Sequence, residues 1–131
     1  MTDPSTPHPL SVGIDQVEIA RFREVLARTP SVAQRVFTPG ELAAVEGRAD
    51  PVPGLAARFA AKEAVMKALG AGLGALGLTE IEVTGGAGEQ PGLLLRGRAA
   101  TRARDRGVSV WAVSLTHTRS TAAAVAVAVA S

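Results

Sequence analysis

The sequence predicts an α+β domain in which an antiparallel sheet packs against one long central helix. The helix is indicated by residues 55–69, which are built mostly from Ala, Leu, Val, Phe and Met, and most of these residue types favour helices. The sheet is indicated near the end of the chain, where residues 108–115 and 121–129 resemble strands on either side of a short connection, a pattern typical of an antiparallel hairpin. Helices and strands do not alternate regularly, which favours an α+β fold over a parallel α/β fold.

Length and composition limit the domain count and the classes of function. With 131 residues, of which 47% are hydrophobic, the chain can build one packed core. We therefore expect a single domain over residues 10–131 and a flexible tail over the polar, proline-rich residues 1–9. The lack of cysteine excludes disulfides and thiolate metal sites, and 3% aromatic residues leave few platforms for stacking nucleic-acid bases. No apolar run reaches the ~18 residues of a membrane span, so we expect no signal peptide, no membrane segment and a cytoplasmic location.

The first half of the chain begins with a short strand and continues with helices. Residues 10–14 predict the strand and residues 17–28 an amphipathic helix. Thr38, Pro39 and Glu41 have the pattern of an N-cap, a proline at the first helical position and a capping-box partner. They predict a second helix to about residue 48, followed by a loop over 49–54.

The second half of the chain begins with the central helix, which Gly70 is expected to end. A glycine-rich loop to residue 77 follows. The remaining elements are a strand over 80–84, a turn over 85–92, a strand over 93–96, a helix over 98–106 and the two hairpin strands.

Four charged side chains lie on the otherwise apolar central helix: Arg58, Lys62, Glu63 and Lys67. A helix that is apolar on all sides is normally buried, and a buried charge is costly without a partner. These charges therefore indicate either a functional site or two i,i+4 pairs whose side chains reach solvent from a half-exposed helix.

Two further residues, Asp15 and His117, follow apolar strand patterns. Asp15 comes directly after the first predicted strand, where it can serve a site or cap the next helix together with Glu18. His117 follows the strand pattern of residues 113–116, a position from which the ring can reach a site, although a lone histidine at a turn is more often a surface residue.

The charges are distributed unevenly along the chain. Residues 1–95 contain 8 Lys and Arg and 11 Asp and Glu, a net charge of −3, whereas residues 96–131 contain 6 Arg and only Asp105, a net charge of +5. Five of these arginines lie in residues 96–106, and a second group consists of Arg21, Arg23 and Arg28. Such groups suit an acidic partner, or they form solvated helix faces.

Together, these residues resemble a known family of enzymes. The matching segments are residues 13–15 (GID), Arg21 with Phe22, residues 58–64 (RFAAKEA) with Lys67, and residues 113–117 (VSLTH). In this order and spacing they resemble the holo-[acyl-carrier-protein] synthases, the short group of 4′-phosphopantetheinyl transferases. One departure is the sequence GEQP at residues 88–91, where the family usually has a basic residue.

The resemblance implies that coenzyme A donates its phosphopantetheine arm to a serine of an acyl carrier protein, releasing adenosine 3′,5′-bisphosphate. It implies that Asp15 and Glu63 hold Mg²⁺, an ion that takes carboxylate oxygens together with phosphates and waters. Glu63, Lys67 and Asp15 are the expected catalytic residues, and the base is either Glu63 or a water on the metal. The residues expected to bind coenzyme A are Arg58, Lys62, Lys67, Ser114, Thr116 and His117.

The resemblance also implies two protein partners. Acyl carrier proteins are acidic, which gives Arg21 and Arg23 a role in docking, and family members form homotrimers with the site between protomers. Two other functions compete with this one. The chain could be a phosphate-binding regulatory module without transfer activity, or a protein that binds RNA or another polyanion through residues 96–106, with steep salt dependence.

Overall fold

The computed structural model describes residues 6–72, 74–85 and 88–131. Along the chain, helices and strands form two small sheets and a set of helices around them. The elements are β1 (His8–Glu18), α1 (Ile19–Arg28), α2 (Val32–Val36), α3 (Pro39–Val45), α4 (Val52–Ala68), β2 (Ile81–Thr84), β3 (Gly92–Leu95), α5 (Gly97–Asp105), β4 (Val110–His117) and β5 (Thr121–Ala130), with a 3₁₀ turn at Leu78–Glu80 before β2.

The larger sheet has the strand order β1-β5-β4 and is antiparallel throughout. In β5, alanine alternates with other residues, mostly valine, so that one face of the strand carries small side chains. Those on the inner face, Ala122, Ala124, Ala126 and Ala128, are buried. Because alternate residues of a strand point to opposite faces, this pattern creates a flat surface on which a helix can lie closely.

Helix α4 lies on that surface and is the centre of the core. It contacts all three strands of the larger sheet and also β2, α1 and α3. Its small residues Ala56, Ala60, Ala61 and Ala64 are fully buried, as is Val65. This environment explains why the helix is apolar on all sides.

The closest approach between β1 and α4 is at Gly13. A Cβ atom at this position would overlap the Ala64 carbonyl oxygen and would lie 2.9 Å from the Ala68 amide nitrogen. Two residues earlier, the Ser11 hydroxyl donates to the Ala68 carbonyl at 2.6 Å, which satisfies one of the free carbonyls at the end of the helix.

We expect Gly13→Ala to destabilise the protein by about 3 kcal/mol, because the added methyl group meets helix backbone that cannot move aside locally. Chemical denaturation measures the loss. Gly72→Ala is the matched control, since a Cβ atom there meets nothing within 4 Å. Equal stability of the two variants would show that the two elements do not approach as closely as this.

The predicted fold class, α+β with an antiparallel sheet on a long helix, agrees with this architecture. The capping box is confirmed: the Glu41 amide donates to the Thr38 hydroxyl and the Thr38 amide donates to the Glu41 carboxylate. Gly70 follows α4 with φ of +66°, a value that favours glycine.

Several boundaries differ from the sequence predictions. β1 extends over His8–Glu18 rather than 10–14, so its first two residues belong to the predicted tail, and residues 1–5 lie outside the described part of the chain. α4 begins at Val52 rather than at 55. Pro53 fits the first turn of a helix because amide groups there have no intrahelical acceptor. α2 is not predicted from the sequence; it has only five residues.

The outer face of the larger sheet is apolar and uncovered in the single chain. Val12 and Ile14 of β1 are 63% and 67% exposed, and Val125 and Val127 of β5 lie beside them at paired positions. Among the described residues, no helix is long and apolar enough to cross a membrane.

Candidate functional site

Asp15 and Glu63 line one cleft of about 420 Å³ between β1, α1, α2 and α4. Asp15 lies within β1, on the face that packs toward α4, and Glu63 lies on α4. Arg21 is at the same cleft, whose remaining lining is largely apolar, with Phe22 and Phe59 among the contributors. The carboxylates of Asp15, Glu63 and the more exposed Glu18 thus share with Arg21 an opening whose other walls are largely apolar.

The ammonium group of Lys67 lies beside Asp15. It donates to Asp15 Oδ1 and to the Ile14 carbonyl oxygen, both at 3.0 Å. The lysine side chain is half-exposed and the Asp15 side chain is largely covered. Since Glu63 and Lys67 are four residues apart on α4, they lie on the same face of the helix, so three predicted catalytic residues lie together.

The alternative role of Asp15 as a helix cap does not agree with the structure. α1 begins at Ile19, its N-cap residue is Glu18, and no side chain caps it. Asp15 instead pairs with Ala124 inside the sheet. Its carboxylate therefore serves the cleft and not the helix.

The pKa of Glu63 is raised above its ordinary value, first by burial and then by the negative charge of Asp15, while Lys67 opposes the shift. A carboxyl group that is easier to protonate in the folded chain stabilises the fold most below its unfolded pKa. That contribution is lost as pH rises through the folded pKa. The ionised carboxylate is thus a cost to the ligand-free protein at neutral pH, and a bound cation would remove it.

We expect ligand-free Glu63→Gln to unfold at a higher temperature than the wild-type chain at neutral pH, because glutamine is neutral. Below pH 4.5, the ordinary pKa of a glutamate, both side chains are neutral and the difference should disappear. Thermal unfolding over this pH range measures it. A wild-type chain that is more stable than the variant at neutral pH would contradict the assigned environment of Glu63.

Arg58 and His117 lie at a second cleft, of about 260 Å³, formed by α4, the β2–β3 connection and the end of β4. Arg58 is only 6% exposed and donates to the carbonyl oxygens of Gly54 at 3.1 Å and Gly85 at 3.4 Å. Its Nε is buried and has no hydrogen-bond partner among the described residues. Burial lowers the pKa of Arg58, and the nearby positive charge of Arg48 lowers it further. The negative charge of Glu41 opposes this shift, but no carboxylate of the described residues forms an ion pair with Arg58.

The two clefts are on different sides of α4. Glu63 is five residues after Arg58, which corresponds to about 140° around the helix and roughly 7.5 Å along its axis. Within one chain, Asp15 and Glu63 on the one hand and the predicted coenzyme-binding residues Arg58, Thr116 and His117 on the other therefore line separate openings.

Lys62 does not line either cleft, which corrects the expectation that it binds coenzyme A. Its side chain is fully buried and forms an ion pair with Glu41 at 2.6 Å. It also donates to the carbonyl oxygens of Leu78 at 3.0 Å and Ile81 at 2.5 Å. An ammonium group has three N–H donors, and all three are used within the core, so none remains for a phosphate.

Glu41 completes this buried network. Its second oxygen, Oε2, accepts from the Val83 amide at 2.9 Å, so the pair ties α3, α4 and β2 together. Sequence reasoning assigned Glu41 only a capping role. Its position 21 residues before Lys62 carries no periodic signal for such a pair.

Ser114 and Thr116 lie on the outer face of the larger sheet. They line a shallow hollow of about 170 Å³ together with Ile14 and Val125. Thr116 also borders the Arg58 cleft, but Ser114 does not. In the single chain, Ser114 could therefore contact coenzyme A only from the outer face of the sheet.

The two predicted docking arginines differ in their contacts. Arg21 is exposed at the edge of the Asp15 cleft. The guanidinium group of Arg23 donates to both carboxylate oxygens of Asp50, at 3.0 and 2.6 Å. This two-point pair raises the pKa of Arg23 and lowers that of Asp50, so Arg23 already has an anionic partner.

Three arginines of residues 96–106, one just before α5 and two within it, also have carboxylate or carbonyl partners inside the chain. Arg98 pairs with Glu80 and Arg96 pairs with Glu82. Arg102 donates to the carbonyl oxygens of Leu69 and Gly70, both at 2.9 Å, at the end of α4. These contacts reduce the positive charge and the N–H donors that the cluster has available for a polyanion.

Comparisons with known proteins identify the family. Residues 11–128 match the model of the 4′-phosphopantetheinyl transferase superfamily. A holo-[acyl-carrier-protein] synthase of Moorella thermoacetica is 50% identical over 117 residues, which cover 89% of this chain and 91% of that protein.

Solved structures agree. The holo-[acyl-carrier-protein] synthase of Neisseria meningitidis aligns with a TM-score of 0.82 and 30% identity, covering 92% of this chain and 98% of that chain. The Helicobacter pylori enzyme in complex with coenzyme A aligns with a TM-score of 0.77 and 27% identity, covering 89% and 98%. The family resemblance and the predicted fold class are confirmed: the chain belongs to the 4′-phosphopantetheinyl transferase superfamily.

Proposed function

We propose that this chain transfers the 4′-phosphopantetheine arm of coenzyme A to a serine of an apo acyl carrier protein, as a cytoplasmic holo-[acyl-carrier-protein] synthase. The observation that carries the proposal is the cleft lined by Asp15 and Glu63, with Lys67 bonded to Asp15 beside it, in a chain 50% identical to a synthase of that name. The serine oxygen forms a bond to the phosphorus that bears the pantetheine. The pyrophosphate P–O bond breaks, and adenosine 3′,5′-bisphosphate leaves.

A divalent cation fits the donor set of this cleft. Mg²⁺ is usually bound by one or two carboxylates together with substrate phosphates and water, and Asp15 and Glu63 are the two less exposed of the three carboxylates that line the cleft. The pKa of Glu63 is raised first by burial and then by the negative charge of Asp15, a charge that a bound cation would offset. When bound, Mg²⁺ would neutralise charge on the pyrophosphate oxygens.

The remaining chemistry falls to side chains of this cleft. Lys67, which contacts Asp15 in the ligand-free chain, supplies positive charge where the leaving phosphate gains negative charge. The serine proton would be accepted either by Glu63, since burial raises the pKa of that carboxyl, or by a water on the metal.

The proposal includes a homotrimer in which neighbouring chains complete the site. Two observations support it: the predicted site residues of one chain are divided between two clefts, and the outer face of its larger sheet exposes Val12 and Ile14. Burying that apolar face between chains would stabilise an assembly. Light scattering that reports a single chain in solution would contradict this part of the proposal.

The acidic carrier protein is expected to dock beside Arg21. We expect Arg21→Glu to raise the apparent KM for the carrier protein several-fold and to leave that for coenzyme A nearly unchanged, because rim charges act mainly on the rate of encounter. Steady-state kinetics at two salt concentrations measure the effect, which added salt should reduce by screening. Arg104→Glu, on the exposed side of α5, is the control with the same charge change.

Arg23→Glu is less suitable as a test of docking, because the change would also break the ion pair of Arg23 with Asp50. If Arg104→Glu impaired carrier kinetics and Arg21→Glu did not, the docking surface would have to be moved to α5. The reaction itself would not be affected by that result.

The transfer is tested by incubating the chain with coenzyme A and Mg²⁺. Chromatography then measures the adenosine 3′,5′-bisphosphate that is released. Release that requires an apo carrier protein supports the proposal. Coenzyme A that stays intact with an active apo carrier protein would contradict it.

A further inference from the structure

At the C-terminal end of α4, each carbonyl oxygen from residue 65 to residue 70 accepts a hydrogen bond. Those of residues 65–67 accept from backbone amides, and that of residue 68 accepts from the Ser11 hydroxyl. The last two belong to Leu69 and Gly70, and they accept from Nε and Nη2 of Arg102 on α5, both at 2.9 Å. Because a helix leaves its final carbonyls without intrahelical donors, Arg102 completes the cap of α4.

The position of Arg102 is set by the packing of α5. Ala99 and Ala103 of this helix are buried in the part of the core that also contains Leu69, so α5 lies fixed beside the end of α4. The rigid fork of a guanidinium group presents several N–H donors at once, which suits two successive carbonyl oxygens. Its positive charge also complements the negative end of the helix dipole. Shape and charge therefore both favour arginine at this position.

Lys67 lies in the turn of α4 that Arg102 caps. Its ammonium group reaches the Asp15 carboxylate at 3.0 Å, but the lysine side chain is 56% exposed, and little packing holds it in place. The ends of helices fray more readily than their centres, and Gly70 follows directly, a residue type with an unusually free backbone. The place of the ammonium group therefore depends on how firmly the last turn of α4 is held.

We propose that Arg102 is a positioning residue for the transfer. By binding the Leu69 and Gly70 carbonyl oxygens, it holds the last turn of α4, and with it Lys67, against Asp15. The inference rests on the proposed function. Arg102 lines neither the Asp15 cleft nor the Arg58 cleft, so it acts on the reaction through the backbone that carries Lys67.

Steady-state kinetics distinguish positioning from substrate binding. We expect Arg102→Met to lower kcat roughly tenfold, because a small displacement of a charged group at the reacting phosphate has a large effect on rate. KM for coenzyme A and for the carrier protein should be nearly unchanged. Arg102→Lys keeps the charge at the helix end and should recover part of the loss. Arg104→Met, which removes an exposed charge from the same helix, is the matched control and should leave kcat unchanged.

A double variant tests whether Arg102 acts through Lys67. Lys67→Met alone should be slow, and Arg102→Met/Lys67→Met should be no slower, because the group that Arg102 positions is then already absent. A merely structural role would instead add its own loss in the double variant. Circular dichroism at the assay temperature checks that each variant is folded.

Hydrogen exchange measures the cap without any reference to activity. The amides of residues 69–71 donate to the carbonyl oxygens of residues 65–67. Their exchange with deuterium should be faster in Arg102→Met than in the wild-type chain, whereas Arg104→Met should exchange like the wild-type chain.

The outcomes separate this inference from the proposed function. Unchanged exchange, an unchanged kcat, a rise in KM alone, or a further loss in the double variant would each overturn the positioning role while leaving the proposed transfer intact. A wild-type chain that does not modify a carrier protein would contradict the proposed function, and the positioning role with it.

Discussion

Asp15→Asn and Glu63→Gln are each expected to abolish phosphopantetheine transfer while leaving a folded protein. Each change keeps the shape of the side chain and removes one of the two carboxylates proposed to hold Mg²⁺ at the cleft. Because Mg²⁺ binds charged oxygen ligands and the protein stabilises phosphoryl transfer mainly through charge and position, we expect a loss of several orders of magnitude. Initial rates of adenosine 3′,5′-bisphosphate release measure it.

The control for this experiment is Glu24→Gln, an exposed carboxylate on α1 that lies outside the cleft. It should retain full activity. A fully active Asp15→Asn variant would contradict the assignment of Asp15 as a metal ligand. Asparagine can replace aspartate at a helix cap, but it does not supply the carboxylate that the cation needs. The position of Asp15 inside β1 already argues against such a cap.

The second large effect concerns stability. Lys62→Met is expected to destabilise the fold by about 3–5 kcal/mol, because it leaves the buried Glu41 carboxylate without its counter-charge. The carbonyl oxygens of Leu78 and Ile81 would lose a donor as well. Denaturant unfolding measures the loss, and the double variant Glu41→Gln/Lys62→Met should regain part of it, since it contains no isolated charge.

Lys67→Met is the matched control, since its ion pair with Asp15 is half-exposed and exposed pairs contribute only about 0–1 kcal/mol. We expect Lys67→Met to be stable but slow in transfer. If Lys62→Met were as stable as the wild-type chain and bound coenzyme A poorly, the ammonium group would be a phosphate ligand after all.

Local sequence patterns were sufficient for much of the fold. The capping box at Thr38 and Glu41 involves residues three apart, and the hairpin of β4 and β5 joins neighbours in the chain. α2 was missed because five residues are too few to show a helical period. The start of α4 was placed late because Pro53 and Gly54 usually indicate a loop, whereas a first turn tolerates them.

The candidate site was predictable where family motifs mark it and unpredictable where only tertiary contacts do. Asp15 and Glu63 are 48 positions apart, and the resemblance brought them together before the structure placed them at one cleft. The same motif suggested a phosphate role for Lys62, which the structure assigns to the core. Arg48 lies in no motif, and only the fold brings its charge near Arg58.

The mass of the carrier protein tests the central claim most directly. An apo acyl carrier protein incubated with this chain, Mg²⁺ and coenzyme A should gain the mass of one phosphopantetheine group, and a carrier whose acceptor serine is replaced by alanine should gain nothing. Omitting Mg²⁺ or using Asp15→Asn should also prevent the gain. An unchanged mass for a carrier that another phosphopantetheinyl transferase modifies would contradict the assignment of this chain as a transferase.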